Sequence, residues 1–140
     1  MAFTGNWSCD SFKTGLMNGT FDFTSGVFYM ALYTNAATLN ASTSAYTATG
    51  EVVASGYTAG GLALTIAQAP TVGSSGNTAY ISFDNAVWVS ALTARGALIY
   101  KVGAGGAVCV LDFGADKTST TTFTVQFPAV SNTSAIIRIA

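Results

Sequence analysis

An alternation of period two constrains this chain most. In Thr122-Phe-Thr-Val-Gln-Phe127, Phe123, Val125 and Phe127 alternate with Thr122, Thr124 and Gln126, the pattern of a strand with one packed face and one wet face. Residues 27–34 also alternate, with Phe28, Met30 and Leu32 on one side and Tyr29 and Tyr33 on the other. Further strands are expected at 51–55, 61–69, 78–83, 86–91, 95–102, 107–113, 121–127 and 135–140, parted by Gly- and Ser-rich turns. Ala97-Leu-Ile-Tyr100 and Val108-Cys-Val-Leu111 are apolar on both faces. Each is either a central strand or a strand whose outer face meets another subunit. The chain is therefore expected to be mainly β, an antiparallel β-sandwich or barrel-like fold with one short N-terminal helix.

That helix is expected near residues 10–19. Asp10 or Ser11 can cap it, Asn18-Gly19 ends it, and Phe12, Leu16 and Met17 fall on one face. The face is either a lid on the core or a partner-facing surface. The 140 residues suffice for one domain, 1–140, with a core of its own. Residues 35–50 form a long loop or arm of Ala, Thr, Ser and Asn, with Leu39 and Tyr46 as its only large anchors. Ordering each residue costs roughly 1–2 kcal/mol of backbone entropy, and burying one apolar anchor returns only about 1.5–3 kcal/mol. The segment is either a surface loop ordered by its own domain or an arm that orders against a neighbour. Leu39, Tyr46, Tyr29 and Tyr33 are the candidate interface residues.

Residue chemistry narrows the function. Half of the residues are apolar, only 8% are charged and the net charge is −1. Disorder is excluded, and so is the broad basic face of a nucleic-acid binder. Gly, Ser and Thr break every apolar run well short of a membrane-spanning helix. The opening Met-Ala-Phe-Thr-Gly-Asn-Trp lacks a basic start and an apolar stretch, so synthesis and folding in the cytoplasm are expected. Cys9 and Cys109 are then expected as free buried thiols rather than a disulfide.

There is no histidine, which removes the usual general base and the common metal ligand. The acids stand singly near turns, and the Gly-rich pieces lack the spacing of a phosphate loop. No catalytic residue, cofactor or metal is expected, and the chain is read as non-enzymatic. Arg95 and Arg138 lie among apolar residues and need partners. Asp84, Asp112 and Glu51 are available, either within the chain as structural ion pairs or across a subunit contact. A surface this poor in charge suits coverage by neighbours in an assembly.

Four segments carry a resemblance. They are Trp7-Ser-Cys-Asp-Ser-Phe-Lys-Thr-Gly-Leu-Met-Asn-Gly-Thr-Phe-Asp-Phe23; Tyr46-Thr-Ala-Thr-Gly-Glu51 with Gly56-Tyr-Thr-Ala-Gly-Gly61; Thr93-Ala-Arg-Gly-Ala-Leu-Ile-Tyr-Lys101; and Leu111-Asp-Phe-Gly-Ala-Asp-Lys-Thr118 with Phe123-Thr-Val-Gln-Phe-Pro128 and Ile136-Ile-Arg-Ile-Ala140. Together they resemble a family of small proteins encoded among the virion genes of tailed bacteriophages, frequent in marine and cyanobacterial phages. The family often has a His before the Asp-Phe that closes the first helix; this chain has Thr20-Phe21-Asp22-Phe23 there. The resemblance implies a virion structural protein whose partners are copies of itself and the major capsid protein, or portal and tail proteins, with no nucleic acid and no membrane. A capsid decoration or cement protein is the first expectation and a collar, adaptor or tail-associated subunit the alternative. A host-carbohydrate-binding tip module, stacking sugars on Trp7, Trp88, Tyr29, Tyr33, Tyr46 and Tyr57, is the third.

Overall fold

A computed structural model describes residues 3–74 and 76–140. In chain order the elements are β1 (Trp7–Ser8), α1 (Asp10–Asn18), β2 (Tyr29–Tyr33), β3 (Leu62–Ala63), β4 (Ile66–Val72), β5 (Ala79–Phe83), β6 (Ala86–Trp88), β7 (Thr93–Tyr100), β8 (Ala107–Thr118), β9 (Phe123–Val125) and β10 (Ile137–Ile139). They make a five-stranded sheet in the order β1-β8-β7-β2-β3, a three-stranded sheet β10-β5-β4 and a two-stranded sheet β6-β9. Every pairing is antiparallel. The chain is mainly β, in keeping with a β-sandwich-like arrangement.

The two-sided apolar segments are central strands. β7 pairs with both β2 and β8, and Ala97, Leu98, Ile99 and Tyr100 are all buried. Phenylalanines join the sheets. Phe12 of α1 meets Phe21 and Phe23 edge-on at 5.2 and 5.9 Å, Phe23 stacks on Phe28 at 4.6 Å, Phe28 meets Phe83 at 6.1 Å, and Phe83 meets Phe127 at 5.8 Å. Such pairs add about 0.5–1.5 kcal/mol each beyond the area they bury.

Several local expectations are corrected. The N-cap of α1 is Cys9, in extended conformation and without a side-chain cap bond. The Asp10 amide is satisfied by the Ala41 carbonyl at 2.8 Å, and the Ser11 hydroxyl bonds to the Ala107 carbonyl. The inward face is Phe12 and Gly15, with Leu16 and Met17 turned outward. A Cβ on Gly15 would lie 2.3 Å from the Phe21 ring, so the ring takes the place that the expected apolar face would have filled. Of 51–55 only Glu51 pairs, as a single bridge to Tyr33, and β1 falls where no alternation marks a strand. Gly19 ends the helix in the left-handed region, as expected.

Loop 35–50 is ordered by its own domain. Leu39 is 2% exposed, inside the core, and the Ala107 amide donates to the Ser44 carbonyl. Leu39 is therefore not an interface anchor that waits for a neighbour.

The two arginines have different fates. Arg95 pairs with Asp112, with both side chains nearly buried at 13% and 12%. Asp112 also accepts from the Gly114 amide at 2.8 Å, and its own amide donates to Asn6 Oδ1 at 2.7 Å. The pair pins a large bulge. The β7–β8 register runs Gly96↔Asp112 and then Ala94↔Lys117, so Arg95 alone faces residues 113–116, and Gly114 supplies the positive φ of 82°. Behind it, the Arg95 guanidinium lies 5.5 Å from the centre of the Phe3 ring. Arg138 has no acidic partner among the described residues. It is exposed in the outer strand β10 and donates to the Thr133 carbonyl at 2.8 Å, because the alternation there turns it to solvent.

Removing one member of a nearly buried pair leaves the other uncompensated. Arg95→Ala is expected to cost about 2–4 kcal/mol, whereas Arg138→Ala stays within about 0.5 kcal/mol. Urea unfolding of the two variants checks this, and equal losses would contradict the assignment.

Candidate functional site

The densest polar cluster is built on Glu51. Beyond Met30 the outer edge of β2 loses its partner β3, and the loop supplies the missing bonds. The Val52 amide donates to the Leu32 carbonyl at 2.9 Å, and the Thr34 amide to the Gly50 carbonyl at 2.8 Å. The Leu32 amide donates to the hydroxyl of Tyr57 at 2.8 Å, so a phenol completes the sheet edge. Tyr57 then donates to Glu51 Oε1 at 2.8 Å, the Gly60 amide donates to the same oxygen at 2.7 Å, and Tyr46 donates to Oε2 at 2.6 Å. Gly61 follows with φ of +81°; a Cβ there would lie 1.7 Å from the Met30 carbonyl oxygen, so only glycine fits.

The tyrosines form a wall around this carboxylate. Tyr100 donates to the Gly60 carbonyl at 2.7 Å, and Tyr33 to the Thr47 carbonyl at 2.7 Å. Tyr46 and Tyr29 both stack against Tyr100, at 5.1 and 5.8 Å. Of the four candidate interface residues, the structure gathers Tyr29, Tyr33 and Tyr46 into this one cluster, while Leu39 goes to the core. Tyr33 is fully buried, so it offers no surface to a partner. As sugar platforms, Tyr33 and Trp88 are buried, and Tyr57 is taken up by its stack on Trp88 at 6.2 Å. Trp7 keeps an exposed ring.

These groups are tuned for structure. Burial holds the phenols of Tyr33 and Tyr57 well above their ordinary value. The hydrogen bond to Glu51, with burial second, pushes Tyr46 up to about 12. Both cysteines are free and buried. Burial raises the Cys9 thiol to about 11 and the Cys109 thiol to about 12, the reverse of what a nucleophilic thiol needs. Among the described residues no cluster of acids and thiols could hold a metal.

Apolar side chains occupy the outside. Val53 is 96% exposed, Val89 84% and Met17 82%. Val53 and Val89 flank the contact in which Ser90 Oγ bonds to the Ser55 carbonyl. Open grooves lie beside the outer strands. One of about 550 Å³ runs between α1, Cys109 and β10, and another of about 470 Å³ lies between Phe113, Lys117 and β9.

Sequence reading missed Glu51 as the organising residue. The signal was a lone acid in a long uncharged stretch, with Tyr46 before it and Tyr57 after it.

Glu51→Ala strands two hydroxyls and an amide, and is expected to cost about 3–5 kcal/mol; Tyr46→Phe removes one charge-assisted bond and costs about 1.5–3 kcal/mol. Denaturant unfolding ranks the two. The raised thiols and phenols also set an alkaline limit. The fold keeps these acids protonated, so the unfolded chain loses protons first, from the ordinary thiol value of 9.0 and phenol value of 10.0 upward. Stability is full below pH about 9 and falls as the pH rises toward about 12. Phenolate absorbance should appear together with loss of the β circular-dichroism signal; full ionisation in an intact fold would contradict the burial.

Comparison with known proteins adds no relative to this geometry: no family model, no curated protein and no solved structure matches the chain.

Proposed function

We propose that this chain is a non-enzymatic structural protein of a tailed-bacteriophage virion, bound to the outer capsid shell as a decoration protein. One observation carries the reading. The chain uses its buried charges internally and holds whole apolar side chains in solvent, Val53, Val89 and Met17 foremost. Each such side chain returns about 1.5–3 kcal/mol when a neighbour covers it, and repetition over many copies multiplies the effect. The groups that could do chemistry are engaged as scaffold: Glu51 by three donors, Asp112 by Arg95 and Gly114. The resemblance of the four sequence segments to phage virion proteins points the same way.

Quantitative mass spectrometry of purified particles tests the location. A shell protein is present in many symmetry-related copies, on the order of hundreds. A handful to a few dozen would place it at the collar or tail instead, and absence from particles would overturn the virion role. Val53→Lys with Val89→Lys should weaken attachment to particles while leaving the unfolding midpoint of the free protein within about 2 °C, since both side chains are exposed.

A further inference from the structure

We propose that Asn18 is a modification site: its side-chain amide is lost to attack by the Gly19 backbone nitrogen, at a rate set by opening of the last turn of α1. The site is independent of the assembly reading above. Among the asparagines only Asn18 precedes glycine; the others are followed by Trp, Ala or Thr. Glycine has no Cβ to shield its nitrogen. Apart from its chain neighbours, nothing lies within 4 Å of the place a Cβ on Gly19 would take. Asn18 and Gly19 are both exposed, so solvent reaches the reacting atoms.

The chemistry needs only water. Hydroxide removes the proton of the Gly19 amide, and the nitrogen bonds to Asn18 Cγ. The Cγ–Nδ2 bond breaks, and Nδ2 leaves as ammonia after taking a proton from water, which regenerates the hydroxide. A second water opens the five-membered imide at either carbonyl, giving aspartate or isoaspartate. One water is consumed overall and one ammonia released, with no oxidant and no cofactor.

The fold holds back the first step. The Gly19 amide donates to the Gly15 carbonyl, and the Thr20 amide donates to the same oxygen at 2.9 Å, closing a helix that ends in a left-handed residue. Asn18 Oδ1 accepts from both the amide and the hydroxyl of Thr20, which fixes the side chain. Lys101 Nζ fastens the Thr20 carbonyl at 2.8 Å, and the Phe21 ring rests against Gly15. Attack on Cγ requires the Gly19 N–H to be freed and the Asn18 side chain to turn, so these bonds open first. Opening of a helix end is local and costs less than global unfolding. Isoaspartate then makes the change permanent. Its main chain runs through the former side-chain carbon and gains a methylene, which displaces Thr20 from its closure on Gly15.

Peptide mapping of the purified full chain, aged in mildly alkaline buffer below the alkaline limit, tests this. Unfolded in urea, Asn18 should gain about one dalton at least tenfold faster than any other asparagine. Gly19→Ala should slow that conversion at least tenfold. In the folded chain Asn18 should react at least tenfold more slowly than in urea. The slowing should match, within threefold, the hydrogen-exchange protection of the Gly19 amide. Gly15→Ala, whose Cβ would lie 2.3 Å from the Phe21 ring, should raise both rates by the same factor; if that variant does not fold, the wild-type match decides. An Asn18 no faster than the other asparagines in urea would overturn the proposal. So would a folded rate equal to that in urea while the Gly19 amide stays protected, or an unconverted Asn18 where that amide exchanges freely. The isoaspartate fraction should also unfold at a lower midpoint than Asn18→Asp, which adds the same charge without lengthening the chain; equal midpoints would contradict the loss of the helix closure.

Discussion

The run of phenylalanine contacts from Phe12 through Phe23, Phe28 and Phe83 to Phe127 is what the rest of the molecule depends on. The strands fall into sheets of five, three and two, and a two-stranded ladder is at best marginal alone in water. Each small sheet becomes stable by laying aromatic rings against the larger one. Phe123 does this for β9 by meeting Phe113 of β8 at 6.3 Å, and Phe83 does it for β5 by meeting Phe28 beside β2. Ring-to-ring packing of this kind tolerates irregular backbone, which is why short strands, bulges and long loops coexist here with a closely packed interior.

Polar groups in that interior are few, and each is fully engaged; among the described residues no buried side-chain nitrogen or oxygen lacks a partner. Glu51 and Asp112 play parallel parts. Each sits where a ladder breaks down, Glu51 beyond the end of β3 and Asp112 at the bulge of β8, and each gathers backbone amides that the sheet no longer pairs. A carboxylate suits that task because it accepts several bonds at once, and charge-assisted bonds are the stronger kind. Glu51, Asp112 and Arg95 are thus charges placed at faults in the β framework.

Strand existence was legible in the sequence for β2, β5, β7 and β9, whose bounds lie within the expected ranges or a residue or two beyond. Their partners were not, because pairing is a long-range choice; β8 selects β7 and β1, and β9 selects β6, across connections of very different length. The helix was legible from Asn18-Gly19, but its buried face was not. Gly15 gives no apolar signal, and its role exists only because Phe21 folds back onto it. The need of Arg95 for a partner could be read from its apolar neighbours, and Asp112 was among the available acids. The same logic failed for Arg138, since apolar neighbours in sequence at an outer strand do not mean burial in space. Leu39 and Tyr46 were rightly picked as anchors of the loop. Their destination was left open between the chain's own domain and a neighbour, because the donors that bear on it, Tyr57 and Gly60, come from a segment beyond the loop.

A loop held by its own domain changes how assembly works. An arm that orders only on a neighbour would charge its ordering entropy against every contact. Here the entropy is already offset inside the chain by Glu51, Tyr57 and the buried Leu39. The exposed valines and the outer strands are presented on a rigid frame, so a contact made there loses mainly rigid-body freedom and a few side-chain rotamers. Small contacts then suffice, provided that they repeat, and repetition is what a closed symmetric shell or ring supplies. On the assembly reading proposed above, a frame that does not rearrange leaves the choice of contact to which outer edges are blocked, by Pro70 and Arg138 among others, and which are left open.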